Sequence, residues 1–313
     1  MGKVTTVALG ALLMGSMISA SAVAQAPGSA AADEIVVTAR RTGIPVWRVN
    51  GPRTSIVLVG SIDGVVKDTR WDPGALTETL RKADQIMFPG LTAVSASPLA
   101  LIGYYMRFKK QATLPKGQSL QNFMPPQQFQ RLLALKNRGV LKAGFERKHP
   151  FHLAMELRDK AKGKNGFGLD ADTYVRKAIQ KHKLKMVPLR TMRAKPVVND
   201  FFAAPPRNFV PCLVDAITLA EAGPGAIRAR SDAWAARRVP DVVQSPADEV
   251  YASCSASGTG VVQARDLSPQ IAALLSEPKL TVAVVELRTL AAPGGVLDDL
   301  RAAGFDIQGP RWR

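Results

Sequence analysis

The sequence predicts a mixed α/β domain, in which helices flank a central mixed β-sheet. Short runs of β-branched and aliphatic residues occur near both ends of the chain, at residues 56–59 and 280–290. Segments with the apolar spacing of helices separate these runs. The composition, with 46% hydrophobic and 21% charged residues, is ordinary for a globular protein. Together these observations predict one α/β core.

The first predicted elements are a hairpin, a helix and a short strand. Two strands are expected within residues 46–59, joined by a turn at Asn50-Gly51-Pro52. Asp72 is a natural N-cap and Pro73 suits the first helical position, so a helix should start there. The QIMFPG segment that follows predicts a short strand that stops at Pro89.

The rest of the chain predicts a helical insertion and a second α/β unit. Residues 91–185 show helical spacing and are expected to form the insertion. A strand is expected at 186–189, an irregular segment at 196–211, and two further helices after it. At the end of the chain, a strand over 280–290 should precede the helix PGGVLDDLRAAG and the strand FDIQGP.

The N-terminal segment predicts export. Residues 1–24 combine Lys3, an apolar run and small residues near the end, which is typical of a cleaved secretory signal peptide. Residues 25–44 are rich in small residues and predict a disordered linker, followed by a single domain over 45–313. No later segment is long and apolar enough to span a bilayer, so the mature protein is expected to be soluble.

The chain has two cysteines, Cys212 and Cys254. Because exported proteins fold in an oxidising compartment, a disulfide between them is expected. Two free buried thiols are the alternative. A cysteine nucleophile is not expected, since none of the three histidines lies in a recognisable partner motif.

The formal net charge of +17 is unusually high. An exported protein without a DNA- or RNA-binding motif is not expected to bind nucleic acid. Anionic lipid headgroups, acidic polysaccharide or an acidic protein are better candidate partners. Lys and Arg are concentrated between Arg107 and Lys185, which predicts a basic patch on the insertion. A basic but merely solvated surface is the alternative.

Other polar residues have simpler interpretations than a functional site. His149, His152 and Glu156 could be arranged as a metal site, because residues four apart share one face of a helix. The segment is better explained by packing. Asp170 is expected to be a helix N-cap, and Trp234 is expected to lie in the core.

The motifs VWRV, LVGS, LRKADQIMF, GLDADTYVRKA, DAWAARR and VLDDLRAAGFDI occur in this order within residues 46–310. Their order and spacing resemble the TraB/GumN family, which belongs to the same superfamily as the Tiki metalloproteases. The resemblance implies a TraB/GumN-like fold for the domain. The EIVVTARR segment resembles the tether of many exported α-proteobacterial proteins, which implies a periplasmic or secreted location in a Gram-negative cell envelope.

The chain differs from the family at the motif positions on which the family's activity is thought to depend. Activity in the family is thought to depend on two G-x-x-H motifs and nearby glutamates around a divalent metal. Here the first motif is Gly60-Ser61-Ile62-Asp63, so Asp63 replaces the histidine. Pro89 and Arg190 stand where glutamates are expected, and Thr289 stands in place of the last histidine. Proline offers no side-chain donor, threonine is a weak ligand, and arginine is always cationic.

Asp63 can still bind a metal, but one carboxylate does not hold an ion, so these departures imply a pseudoenzyme with no catalytic residue, cofactor or bound metal. Arg190 is expected to pair with Asp63 or Glu286 and to fill the space of the lost metal. The first hypothesis is therefore an envelope binding or scaffold protein with a basic surface. The alternative is a metal-dependent hydrolase or peptidase of the Tiki/TraB type with an altered metal site, which would require a divalent metal. For an enzyme with new, metal-free chemistry, no set of residues stands out.

Overall fold

The computed structural model describes residues 27–88, 98–161, 168, 170–187, 194–256 and 264–313. The predicted signal peptide at residues 1–24 therefore lies outside the described residues. The strands of the described part are β1 (Val46–Asn50), β2 (Ser55–Ser61), β3 (Gln85–Met87), β4 (Met186–Val187), β5 (Thr281–Glu286) and β6 (Asp306–Gln308).

Helices precede, separate and follow the strands. They are α1 (Pro27–Arg40), α2 (Pro73–Lys82), α3 (Pro98–Lys110), α4 (Pro126–Asn137), α5 (Pro150–Ala161), α6 (Ala171–His182), α7 (Ala194–Ala203), α8 (Val210–Ala222), α9 (Pro224–Ala235), α10 (Val239–Val243), α11 (Pro246–Ala256), α12 (Ala264–Leu274), α13 (Leu287–Ala291) and α14 (Val296–Ala302). The predicted α/β class with a mixed sheet is confirmed.

The six strands form one sheet in the order β4-β3-β5-β2-β1-β6. β1 runs antiparallel to both β2 and β6, whereas β2, β5, β3 and β4 are parallel neighbours. β2 lies between β5 and β1 and is buried along its whole length, which agrees with the uninterrupted apolar run at residues 56–59. Because parallel strands end at the same edge of a sheet, the segments after β2 and β5 meet there.

Local signals correctly predicted several element boundaries. The hairpin pairs Val46 with Val59 and Asn50 with Ser55. The side chain of Asp72 accepts a hydrogen bond from the Ala75 amide at 3.0 Å, as expected of an N-cap.

A second apolar core lies under the helical insertion. It contains buried residues of α4, α5, α8 and α11. α3 to α6 lie within the predicted insertion, but α6 packs its buried face against the sheet core instead. The apolar core of the insertion is therefore formed together with α8 and α11, which come later in the chain.

The predicted disulfide is present and links two helices of this second core. Cys212 of α8 and Cys254 of α11 are bonded, with their Cα atoms 4.5 Å apart. The bond closes a sequence separation of 42 residues. Closing such a loop stabilises the folded state by about 4 kcal/mol if the effect is entropic.

The linker predicted over residues 25–44 is wrong for the part that the structure describes, because α1 occupies it. Ala32, Ile35, Val36 and Ala39 are buried, and their spacing forms one helical stripe. This stripe belongs to the sheet core. Small residues suggested a linker, yet alanine is also the strongest helix former.

Two further predictions need correction. The segment 196–211, expected to be irregular, contains most of α7 and the start of α8. Pro196 is tolerated because it lies in the first turn of α7, where no amide is needed for an intrahelical bond. The strand expected over 280–290 ends at Glu286, since Leu287, Leu290 and Ala291 bury one face of the short helix α13.

In the part of the chain that the structure describes, no single helix is long and apolar enough to cross a membrane. The pair of helical segments Pro206–Ala222 and Pro224–Ala235 meets the length and composition criteria only together, and it is bent by 94° at its break.

Candidate functional site

The site begins where β2 and β5 end. Ser61, the last residue of β2, is the register partner of Glu286, the last residue of β5. Asp63 follows two residues after Ser61, in the turn that leaves the sheet. Because β2 and β5 are parallel neighbours, both acids lie at the same edge of the sheet, and the negative charge of Asp63 raises the pKa of Glu286.

The start of α6 contributes two more acids. The Asp170 side chain accepts a hydrogen bond from the Thr173 amide at 2.7 Å, which confirms its predicted role as N-cap. Asp172 lies in the first turn of the same helix and is close enough to Asp63 for their charges to interact. We use the word cleft for this edge of the sheet, which carries Asp63, Asp170, Asp172 and Glu286.

A close backbone contact holds the start of α6 against the turn after β2. The Gly168 amide donates a 2.7 Å hydrogen bond to the Val65 carbonyl. A Cβ atom at position 168 would lie 2.8 Å from the Cα of Lys67, so only glycine permits this approach. The GLD motif therefore brings Asp170 to the cleft through its glycine.

A buried arginine supports the Asp63 turn from the protein side. Arg230 of α9 is 1% exposed and donates two hydrogen bonds, of 2.6 and 3.1 Å, to Asp248 Oδ1. Its Nη1 donates a third bond, of 2.6 Å, to the carbonyl oxygen of Asp63. The guanidinium also lies 4.8 Å from the ring centroid of Tyr251. Arg230 thus ties α9, α11 and the turn after β2 together.

Asp248 bridges two arginines. Its second oxygen accepts a 3.2 Å hydrogen bond from Arg288 of α13, which also donates to the Val243 carbonyl at 2.7 Å. Asp248 is 1% exposed, so its charge requires these partners. The altered last G-x-x-H motif is the segment 286–289, so Arg288 is one of its residues and contributes an ion pair with Asp248.

α9 fixes the end of β2 by two further contacts. Trp234 Nε1 donates a 2.8 Å hydrogen bond to the Gly60 carbonyl, and the Val66 amide donates to Ser231 Oγ at 3.2 Å. Trp234 is fully buried in the sheet core, as predicted. The indole N–H thus provides a hydrogen-bond donor to a backbone carbonyl at the end of β2, where the first motif begins.

The cleft raises the pKa of three of its acids. Burial raises the pKa of Glu286 to about 7, and the charges of Asp63 and Asp248 add to this effect. Burial likewise raises the pKa of Asp172 to about 6, although Arg176 opposes the shift. The pKa of Asp63 is raised by burial and by Asp170. Because the Asp63 side chain also reaches solvent, water screens part of the effect.

The four motif positions identified from the sequence have different outcomes. Asp63 lies in the cleft, as expected. Thr289 lies in α13, where it is half-buried, and no contact places it beside Asp63 within the described residues. Pro89 and Arg190 lie outside the described residues, so the pairing expected of Arg190 stays a prediction.

The sequence patterns did not identify Arg230, the buried cation that donates to the Asp63 carbonyl. One signal could have indicated it: Arg230 lies four residues before Trp234, so both share one face of α9. Its partner Asp248 could not have been found in this way, because the two residues lie on different helices.

The histidines do not contribute to the cleft. His149 is 3% exposed, and burial lowers its pKa to about 4. His152 packs against the Phe108 ring, with centroids 4.1 Å apart, and burial lowers its pKa as well. Glu156 forms ion pairs with Lys148 and Lys160. These contacts agree with a packing role for the HPFHLAMELR segment.

A divalent metal, which the resemblance implies, does not fit the donors of the cleft. Such a metal requires several imidazoles or carboxylates that converge on one point. Over residues 27–88, 98–161, 168, 170–187, 194–256 and 264–313, no group of three or more His, Cys, Asp or Glu side chains could hold a metal ion. Moreover, Arg158, Arg176 and Arg230 act on Asp63, and their permanent positive charges oppose a cation.

One of the comparisons with known proteins identifies the family of this chain. Neither the curated proteins nor the solved structures include a significant match to this chain. Residues 45–309, however, match the profile of the TraB/PrgY/gumN family, and this range includes every strand of the sheet and all the acids of the cleft. The chain therefore belongs to the TraB/PrgY/gumN family.

Proposed function

We propose that this protein is an exported, non-catalytic member of its family, which binds anionic components of the cell envelope through the basic surface of its helical insertion. The observation that carries the non-catalytic part is the contact of Arg230 with Asp248 and with the Asp63 carbonyl. A buried guanidinium here stabilises the turn after β2 without a metal. The turn that carries the altered first motif is therefore held in place by a buried arginine, which is a structural role.

The cations of the insertion support the binding part of the proposal. Several exposed lysines and arginines lack an ion-pair partner in the ranges that the structure describes, namely Lys116, Arg138, Lys142, Lys177, Lys181, Lys183 and Lys185. Arg138, Lys142 and Lys160 also line one concavity of about 470 Å³ at the end of α4. Such cations attract anionic surfaces over a Debye length of about 8 Å at physiological salt.

The proposal predicts salt-sensitive binding to anionic vesicles or to an acidic polysaccharide. Raising the salt concentration from about 0.05 M to about 0.5 M should weaken binding at least tenfold, because the Debye length shortens severalfold. The double variant Arg138→Glu/Lys142→Glu should weaken binding similarly at low salt. Sedimentation with vesicles and titration with the polysaccharide would measure both effects.

A matched control is Arg53→Glu/Arg70→Glu, which changes the charge equally at exposed positions outside the insertion. This variant should bind nearly as well as the wild type. Equal losses in the two double variants would indicate a response to net charge alone. Absence of binding to both ligands at low salt would refute the proposed function.

Hydrolysis is the second candidate function, and one observation favours it. The carboxyl groups of Asp63 and Glu286 form no hydrogen bond in the described part of the chain, and both have raised pKa values. The Glu286 carboxyl group, with a pKa of about 7, can act as a general acid or base near neutral pH. A metal-dependent hydrolase or peptidase of this kind would need an altered metal site, and its divalent metal would have to overcome the charges of the surrounding arginines.

A further inference from the structure

Helix α3 presents an apolar surface to solvent. Five of its side chains are 55–80% exposed: Leu99, Leu101, Ile102, Tyr105 and Met106. Among the described residues, Val37 of α1 is the one other large apolar side chain with comparable exposure. Exposed apolar residues are common when scattered singly, but a cluster on one helix indicates a binding surface.

The inner side of α3 continues this surface into an open pocket. Ala100, Tyr104 and Phe108 recur every four residues and are less exposed than their neighbours. Tyr104 and Phe108 line a pocket of about 380 Å³ together with Phe201 and Phe202 of α7. Six of its seven lining residues are aromatic. The pocket is therefore an apolar space that suits an extended, flexible ligand such as an acyl chain.

The charges on α3 define what this surface can bind. α3 contains no acidic residue, and Arg107, Lys109 and Lys110 are exposed in its last turn. Arg107 lies 4.4 Å from the ring centroid of Phe202, at the edge of the apolar pocket. Cations beside an apolar helical face are typical of helices that lie in the interface of an anionic bilayer.

A second copy of the chain is a poorer occupant than a lipid surface. The full chain has a formal net charge of +17, to which the predicted signal peptide contributes only Lys3, so two mature copies repel one another over the distance of the Debye length. α3 is also too short to span a bilayer, since its 13 residues extend about 20 Å. A helix of this length can still lie parallel to a membrane surface.

We infer that α3 and the aromatic pocket beside it form a membrane-docking surface, whose apolar side chains enter the acyl boundary of an anionic lipid leaflet. The inference rests on the proposed function and names the lipid leaflet as the anionic component. It adds an apolar contribution to binding, which salt does not screen. The basic residues of α3 would contact the headgroups at the same time.

Two variants of α3 test the inference with vesicles that contain phosphatidylglycerol. Tyr105→Trp adds an exposed indole to the four tryptophans of the chain, and the emission of the variant minus that of the wild type should shift to the blue and be quenched by brominated acyl chains. Ile102→Glu should reduce vesicle partitioning at least about tenfold, because it puts a charge into the acyl boundary. Circular dichroism would verify that both variants fold.

Val37→Glu is a matched control, since Val37 is 60% exposed and Ile102 is 61% exposed. The substitution introduces the same charge on α1 and should change partitioning by no more than about twofold. Equal losses in Val37→Glu and Ile102→Glu would overturn the inference.

The remaining outcomes separate this inference from the proposed function. If the Tyr105→Trp variant binds vesicles without a change in its emission, or binds polysaccharide alone, the inference is overturned and the proposed function stays intact. Absence of binding to either ligand would overturn both. A blue shift that grows with protein concentration in the absence of lipid would identify a second copy as the occupant and overturn the inference.

Discussion

Replacing Arg230 with alanine is expected to lower the free energy of unfolding by about 3–5 kcal/mol. The variant would leave Asp248, which is 1% exposed, with Arg288 as its remaining partner at 3.2 Å. The Asp63 carbonyl would also lose its 2.6 Å donor. Both effects are large because burial removes the water that could replace the lost bonds. Denaturant unfolding, followed by circular dichroism, measures the change.

The control for this prediction lies on the same helix. Arg228 pairs with Asp68 at 3.4 Å, and both side chains are well exposed, so Arg228→Ala should cost at most about 1 kcal/mol. Conversion of the buried pair into apolar residues, as in Arg230→Met/Asp248→Leu, should be less harmful than removal of Arg230 alone. A loss below about 1 kcal/mol for Arg230→Ala would show that the pair does not support the cleft.

Glu286 should make the protein less stable as the pH rises. Its pKa is raised from the ordinary value of 4.5 to about 7 in the folded state. Between these values the folded protein retains a proton that the unfolded chain has released. The stabilisation is therefore complete below about pH 4.5 and is lost as the pH rises through about 7.

Glu286→Gln should remove this dependence, because an amide stays neutral. At about pH 8 the variant is expected to be more stable than the wild type by up to about 3 kcal/mol, whereas the two should be similar at about pH 4. Unfolding curves at several pH values measure the difference. Glu277→Gln is a surface control, since that side chain is 45% exposed. A parallel pH dependence in wild type and Glu286→Gln would contradict a half-buried Glu286 that keeps its proton near neutral pH.

The fold could be predicted where local sequence signals and tertiary packing agree. The hairpin of β1 and β2, the caps at Asp72 and Asp170, and the disulfide between Cys212 and Cys254 all follow from short-range patterns or from composition. α1 could not be predicted in this way, because its alanine-rich sequence becomes ordered by packing its stripe on the sheet.

The cleft was only partly predictable, for a similar reason. Asp63 follows directly from the altered motif at the end of β2. Arg230 and Asp248 are 18 residues apart and lie on two helices, so no sequence period connects them. The sequence indicated that a cation should replace the metal, but it pointed to Arg190, which lies outside the described residues. Only the arrangement of α9 and α11 identifies Arg230 as a cation of the cleft.

The metal content of the purified mature protein is the most direct test of a cleft that has lost the family's metal chemistry. After equilibration with zinc, manganese and cobalt and removal of the excess, we expect far less than one ion per chain. A chelator should then leave the melting temperature unchanged, because no folding free energy depends on a metal. One tightly bound ion per chain that is lost in Asp63→Asn or Glu286→Gln would contradict this account and favour the metal-dependent hydrolase.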